Sequence, residues 1–184
     1  MAIKSAIYAR PTKTKRRASM ADPIKSICKI LQTRLSLDNN QIWIYNQKRD
    51  IPNDFGVYFV VSYLGQRIIG NVRKEVATEQ GLTEYQSVHS LAQYQVDVFS
   101  RNPKAREVRD MAIIALNSTY SQQVQEADGF QIGRNSFQVT NTSEVEGVAE
   151  LSRYSISFNV TYMTQTSNSI DYFDTFAKEV ITED

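Results

Sequence analysis

The chain has 184 residues, a formal net charge of +1 and 41% hydrophobic residues, which suits one domain with an arm or tail and excludes overall disorder. A single cysteine, Cys28, excludes an intrachain disulfide and a multi-cysteine metal site, and fits a protein kept in a reducing cytoplasm or with no need of oxidation. No apolar run approaches the roughly 20 residues that cross a bilayer, and MAIKSAIYARPTKTKRR lacks the continuous apolar stretch of a secretory signal.

Charge is unevenly placed. Residues 1–21 hold six of the 21 basic residues (Lys4, Arg10, Lys13, Lys15, Arg16 and Arg17) and no acidic one, leaving 15 against 20 acidic residues, a net of −5, in the remainder. A basic arm therefore precedes a mildly acidic body. Such an arm is either a solvated terminus or a strand of charge that pairs with nucleic acid or an acidic neighbour. Its one aromatic, Tyr8, gives no repeated stacking surface for single-stranded nucleic acid.

The spacing predicts a first helix over DPIKSICKILQTRLSL. Asp22 suits the N-cap and Pro23 the first helical position, while Ile24, Ile27, Cys28, Leu31 and Leu35 form one stripe. Cys28 in that stripe reads as a small core hydrophobe rather than a nucleophile. A short strand is expected over QIWIYNQ (41–47), then a loop through Pro52 and Asn53. GVYFVVSYLGQRIIGNVRKEV reads as a hairpin turning at Gly65-Gln66, with 57–61 apolar enough to be covered on both faces and Gly70 marking a bulge. Residues 87–100 form the next strand, with Ala92, Tyr94, Val96 and Val98 on one face and Gln93, Gln95 and Asp97 on the other. A second helix follows, capped by Asn102 with Pro103 first and continuing through Val108, Met111 and Ala115 to Tyr120. After it come a polar loop, turn signals at Asp128-Gly129 and Gly133, and weaker strands near 136–140 and 145–151 around an Asn141-Thr142-Ser143 turn. In the strong strand SRYSISFNVTYMT, Tyr154, Ile156, Phe158, Val160 and Tyr162 oppose Ser155, Ser157, Asn159 and Thr161. Ile170, Phe173, Phe176, Ala177, Val180 and Ile181 suggest a last amphipathic helix. Hairpins in place of strict βαβ alternation predict an α+β fold, a largely antiparallel sheet flanked by two main helices. The expected division is a basic arm (1–21), the α+β domain (22–165) and a C-terminal helical extension (166–184).

The chain offers little chemistry. The one histidine, His89, has Ser87 and Ser90 nearby, but strand alternation assembles no triad from neighbours. No HExxH, DxDxDG, GxxxxGK[ST] or GxGxxG occurs. Of the carboxylates, Glu107 and Asp110 sit among Lys104, Arg106 and Arg109 as on a solvated helix face. Asp171 and Asp174 suit a helix N-terminus, Asp97 points away from the apolar face of its strand, and Glu144 and Glu146 complete the available carboxylates. A catalytic pair drawn from distant carboxylates is the weakest reading. The junction in LAQYQVDVFSRNPKAREVRDMAIIALNS lacks the glycines of a phosphate-binding turn, and Pro103 removes an amide.

With its polar strand ending QYQVDVFSRNPKAREVRDMAIIAL and its later aromatic strand RYSISFNVTYM, the chain resembles the neck or tail-terminator family of tailed bacteriophages over roughly residues 22–165. It departs from that pattern in Phe99-Ser100, where Tyr-Gly is common, in the basic arm and in the added C-terminal segment. The resemblance implies a virion structural protein without enzymatic activity or cofactor. It also implies a ring, usually a hexamer, that caps the tail tube, stops its growth and joins it to the head-completion or connector proteins. DNA would pass through the lumen without sequence recognition, and the location would be the virion neck, with assembly in the host cytoplasm. Lys13, Lys15, Arg16, Arg17, Arg67, Arg73 and Lys74 are then the candidate partner or lumen contacts, together with the polar face Gln93, Gln95 and Asp97. Two alternatives stand beside it: a collar or other connector adaptor, and a small nucleic-acid-binding protein that uses the basic arm.

Overall fold

A computed structural model describes residues 22–45, 52, 54–78, 81–102, 104–146 and 149–170. The fold is α+β, with a mostly antiparallel sheet. The order is α1 (Pro23–Leu35), β1 (Ile42–Ile44), β2 (Tyr58–Thr78), β3 (Gly81–Ser100), α2 (Ala105–Leu116), α3 (Thr119–Asp128), β4 (Phe130–Ile132), β5 (Gln138–Asn141), β6 (Glu144–Glu146) and β7 (Ala149–Ile170). The sheet runs β1-β2-β3-β7-β4, and β5 and β6 pair with earlier stretches of β7. Only β1 runs parallel to its neighbour; the β2, β3 and β7 ladders are antiparallel.

The first helix forms as its sequence predicts. The Asp22 carboxylate accepts from the Ile24 amide at 3.1 Å, and Pro23 occupies the first turn, where no amide partner is needed. Ile24, Ile27, Ile30 and Leu31 are buried, and Cys28 packs against the same core. The helix ends on Ser36, whose φ of 53° is left-handed. The face of the sheet under the helices supplies Phe59, Val61, Tyr94, Val96, Val98, Ile156, Phe158 and Val160, all buried. These residues alternate along β2, β3 and β7 as the period-2 pattern predicts. The opposite face is closed at one end by Trp43, Tyr58 and Phe99, with ring centroids 5.6–5.8 Å apart. That second layer accounts for the apolar run at 57–61.

Several expectations need correction. No hairpin turns at Gly65-Gln66: β2 runs straight through, with register shifts at Tyr63/Gly65 and Ile68/Gly70. The first glycine serves a bulge instead of a turn, and the second does what Gly70 was expected to do. The β2–β3 connection lies at residues 79–80, outside the described residues, and β3 starts at Gly81, well before Ser87. The second helix begins at Ala105, because the Asn102 side chain accepts from Lys104 in a turn that precedes the helix. Pro103 lies outside the described residues. Nor does one helix run to Tyr120. Asn117 ends α2, and Ser118 caps a further helix, accepting from the Ser121 amide at 3.2 Å. A third helix thus stands where a polar loop was expected, stopped by Gly129 at φ 75°. β4 was also missed, and the strand expected at 145–151 divides between β6 and β7. Residues 166–170 belong to β7 and not to a C-terminal extension. The rest of the predicted last helix, like the arm 1–21, lies outside the described residues.

Candidate functional site

The feature that sets this fold apart is the length of β2, β3 and β7. The first halves of β2 and β7 and the second half of β3, next to the helices, form the sheet core. Their other halves continue together as a three-stranded blade. Residues 66–78 of β2, at about 3.3 Å per residue, extend it roughly 40 Å. Over 63–77, 82–89 and 161–168 no side chain is fully buried. Tyr63, Leu64, Ile68, Ile69 and Val72 of β2 are each about half exposed, an unusual concentration of apolar surface along one strand.

Both blade edges are open among the described residues. On the β2 side, β1 covers only Phe59–Val61, leaving Ser62–Thr78 without a strand beside it. On the β7 side, the β4 pairing stops at Tyr162, leaving Met163–Ile170 free. The two edges differ in chemistry. β2 carries two bulges and the charges of Arg67, Arg73, Lys74 and Glu75, devices that discourage pairing with another strand. From Tyr154 to Ile170, β7 has no charge, proline or glycine.

Register separates the three basic residues predicted on the hairpin. Arg67 pairs opposite Leu91 and Lys74 opposite Tyr85, on the face that also carries Gln93 and Gln95. Arg73 lies on the helix side, opposite Gln86. There its guanidinium meets Glu75 at 2.9 Å and Glu84 at 2.6 Å. Asp97 shares the outer face but is not available to a partner. It is 3% exposed and accepts from Arg153 at 3.1 Å, from Gln95 at 2.9 Å and from the Ser155 hydroxyl. Alternation gave its face correctly; the aromatic layer beside it, and hence its burial, had no local signal. Lys13, Lys15, Arg16 and Arg17 lie outside the described residues.

Burial and the Asp22 charge push the Cys28 thiol up to about 12, leaving little thiolate at neutral pH. His89 and Ser90, consecutive on β3, project to opposite faces. Arg109 donates to Asp110 at 2.8 Å, holding that carboxyl below its usual range, and stacks 5.0 Å above the Tyr154 ring. A shallow cleft of about 320 Å³ at the blade root is lined by Ile69, His89, Glu126, Phe130 and Tyr162, among others. No cluster of three metal-ligating side chains occurs among the described residues. No helix there is long and apolar enough to cross a membrane.

No protein-family model and no curated protein matches this sequence.

Proposed function

We propose that the protein is a structural subunit of a bacteriophage neck, forming a ring that caps the tail tube and joins it to the connector. The observation that carries this reading is the blade with two unlike open edges. A subunit that sets its uncharged β7 edge against a different surface of its neighbour associates head to tail, and such contacts close into a ring when the rotation between copies allows. The half-exposed aliphatic residues of β2 lie along one of these edges, where a neighbour would cover them. The resemblance of its strand and helix pattern to tail terminators supplies the biological setting.

Light scattering and negative-stain imaging of the full chain, alone and with the tail-tube protein, test it. Rings with an axial hole, alone or on tube ends, are the expected result. A chain that stays monomeric at high concentration and also fails to join the tube protein would overturn the proposal.

A further inference from the structure

Over residues 163–170 the open side of β7 has no strand beside it among the described residues. Every second residue of an edge strand turns its N–H and C=O away from its partner, so this stretch offers a row of backbone groups to an added strand. It carries no charge, proline or glycine, and the Thr164, Thr166 and Asn168 side chains are exposed. The edge opens close to where residues 1–21 join the body. Ser26, one turn into α1 from Asp22, donates to Asp128 at 2.6 Å. Two residues further on, Phe130 of β4 pairs with Tyr162, the last residue of β7 that β4 covers. Asp22 therefore stands on the side of the body where the free edge begins.

We propose that residues 2–9 of a neighbouring copy add to this edge as a fourth strand of the blade. Residues 1–21 divide sharply in composition. Five of their six basic residues fall in 10–17, together with Pro11, whereas AIKSAIYA (2–9) has one charge, no proline and no glycine. Its Ile and Tyr favour strands, and its eight residues equal the eight of 163–170. The twelve residues 10–21 span at most about 40 Å, enough to carry the segment onto an adjoining copy, and their like charges favour an extended tether. A segment within reach of its own edge is exchanged for the identical one of the next copy at low cost. Main-chain hydrogen bonds supply the strength of such a contact. The inference rests on the ring reading, which sets identical subunits side by side, and it names what each β7 edge receives.

Cysteine cross-linking of full-length chains in a Cys28→Ala background tests it. A Ser5→Cys chain is mixed with chains carrying one cysteine in place of Thr164, Gln165, Thr166, Ser167 or Asn168, and the mixtures are oxidised mildly. Directly opposite residues of paired strands bring their Cβ atoms to about 4.5–5.5 Å. Disulfide-linked dimers should therefore form at alternating positions, at least fivefold more than at those between. Adding Ala6→Pro and Ile7→Pro to the Ser5→Cys chain should remove that advantage with circular dichroism unchanged, because one of two consecutive residues aims its amide at the ladder and proline has none. Equal yields at all five positions, or an advantage that survives the prolines, overturn the inference. So does a chain with both cysteines that closes on itself while the mixed chains stay unlinked, which assigns the segment to its own edge. Thr166→Cys chains that link to one another as well as to Ser5→Cys would show two β7 edges meeting, and refute it too. Light scattering of the Cys28→Ala chain, with and without tube protein, separates this inference from the reading beneath it. Rings without the alternating cross-link leave the ring standing and the added strand refuted. Alternating cross-links in a chain that forms no rings and joins no tubes support the added strand and refute the ring.

Discussion

Ser36 closes α1 in a left-handed conformation that costs a side chain about 1 kcal/mol. The residue is exposed, and its backbone geometry is the one glycine adopts freely at a helix end. Ser36→Gly should therefore stabilise the protein by about 0.5–1 kcal/mol, seen as a higher urea midpoint; an unchanged or lower midpoint would contradict this. Asp97 makes a sharper case. Removing the carboxylate in Asp97→Ala strands Arg153, Gln95 and Ser155, at an expected cost of about 2–4 kcal/mol. Because Asp97 pairs opposite Val60 and next to Phe99, an apolar pair should fit there. The double variant Asp97→Leu/Arg153→Met should lie at least about 1 kcal/mol above the sum of its singles, and simple additivity would remove the ion pair from the account. Cys28 gives a pH dependence. Its folded pKa is raised to about 12 against about 8.5 in an unfolded chain. Below that lower value both states hold the proton and stability is complete. Between the two, the unfolded chain releases its proton and the folded one keeps it, so stability falls as pH rises. Tyr94, pushed upward chiefly by burial, acts in the same direction at higher pH. Urea midpoints from pH 7 to 10.5 should decline less steeply for Cys28→Ala than for the parent chain; parallel declines would refute the assignment.

At the scale of elements, the sequence was most legible where one face of a regular segment is buried. Asp22, Pro23 and the stripe from Ile24 to Leu35 foretold α1, and the alternations at 92–98 and 154–162 foretold the cores of β3 and β7. Legibility failed where a local signal had two physical uses. Gly65 can open a hairpin or absorb a bulge, and only pairing with β3 over the whole length of β2 decides between them. The third helix fully buries one apolar side chain, Val124, beside the polar Ser121, so its hydrophobic period was too faint. Its boundary signals, Ser118 before and Gly129 after, were present and could have found it. Asp97 was given its face but not its burial, because the Trp43–Tyr58–Phe99 layer comes from three separate strands. The blade itself had a signal only in retrospect: a run from Tyr154 to Ile170 with no charge and no breaker. That composition predicts its use. Lysines at Thr164 and Thr166, exposed on the free β7 edge, should leave the thermal midpoint of the subunit almost unchanged while abolishing ring formation by light scattering. Rings at wild-type yield would show that this edge is not the contact.

For the whole molecule, the relevant quantity is the separation of charge between the terminus and the rest of the chain. Six basic residues in 1–21 precede a remainder with net −5. In a ring of the proposed kind, acidic bodies would attract basic termini of neighbouring copies, an attraction that acts within about a Debye length, roughly 10 Å at 0.1 M salt. The folded body described from residue 22 onward has its own capped first helix and continuous core, so it has no evident need of the preceding residues for stability. Deleting residues 1–21 should accordingly shift the melting temperature by no more than a degree or two. The same deletion should impair docking of rings onto tubes or connectors, and the assembly of the intact chain should weaken as salt is raised from 50 to 500 mM. Melting and sedimentation of both chains separate the outcomes. A large drop in melting temperature would put the arm inside the fold. Unchanged docking at every salt concentration would assign the neighbour contacts to the blade alone.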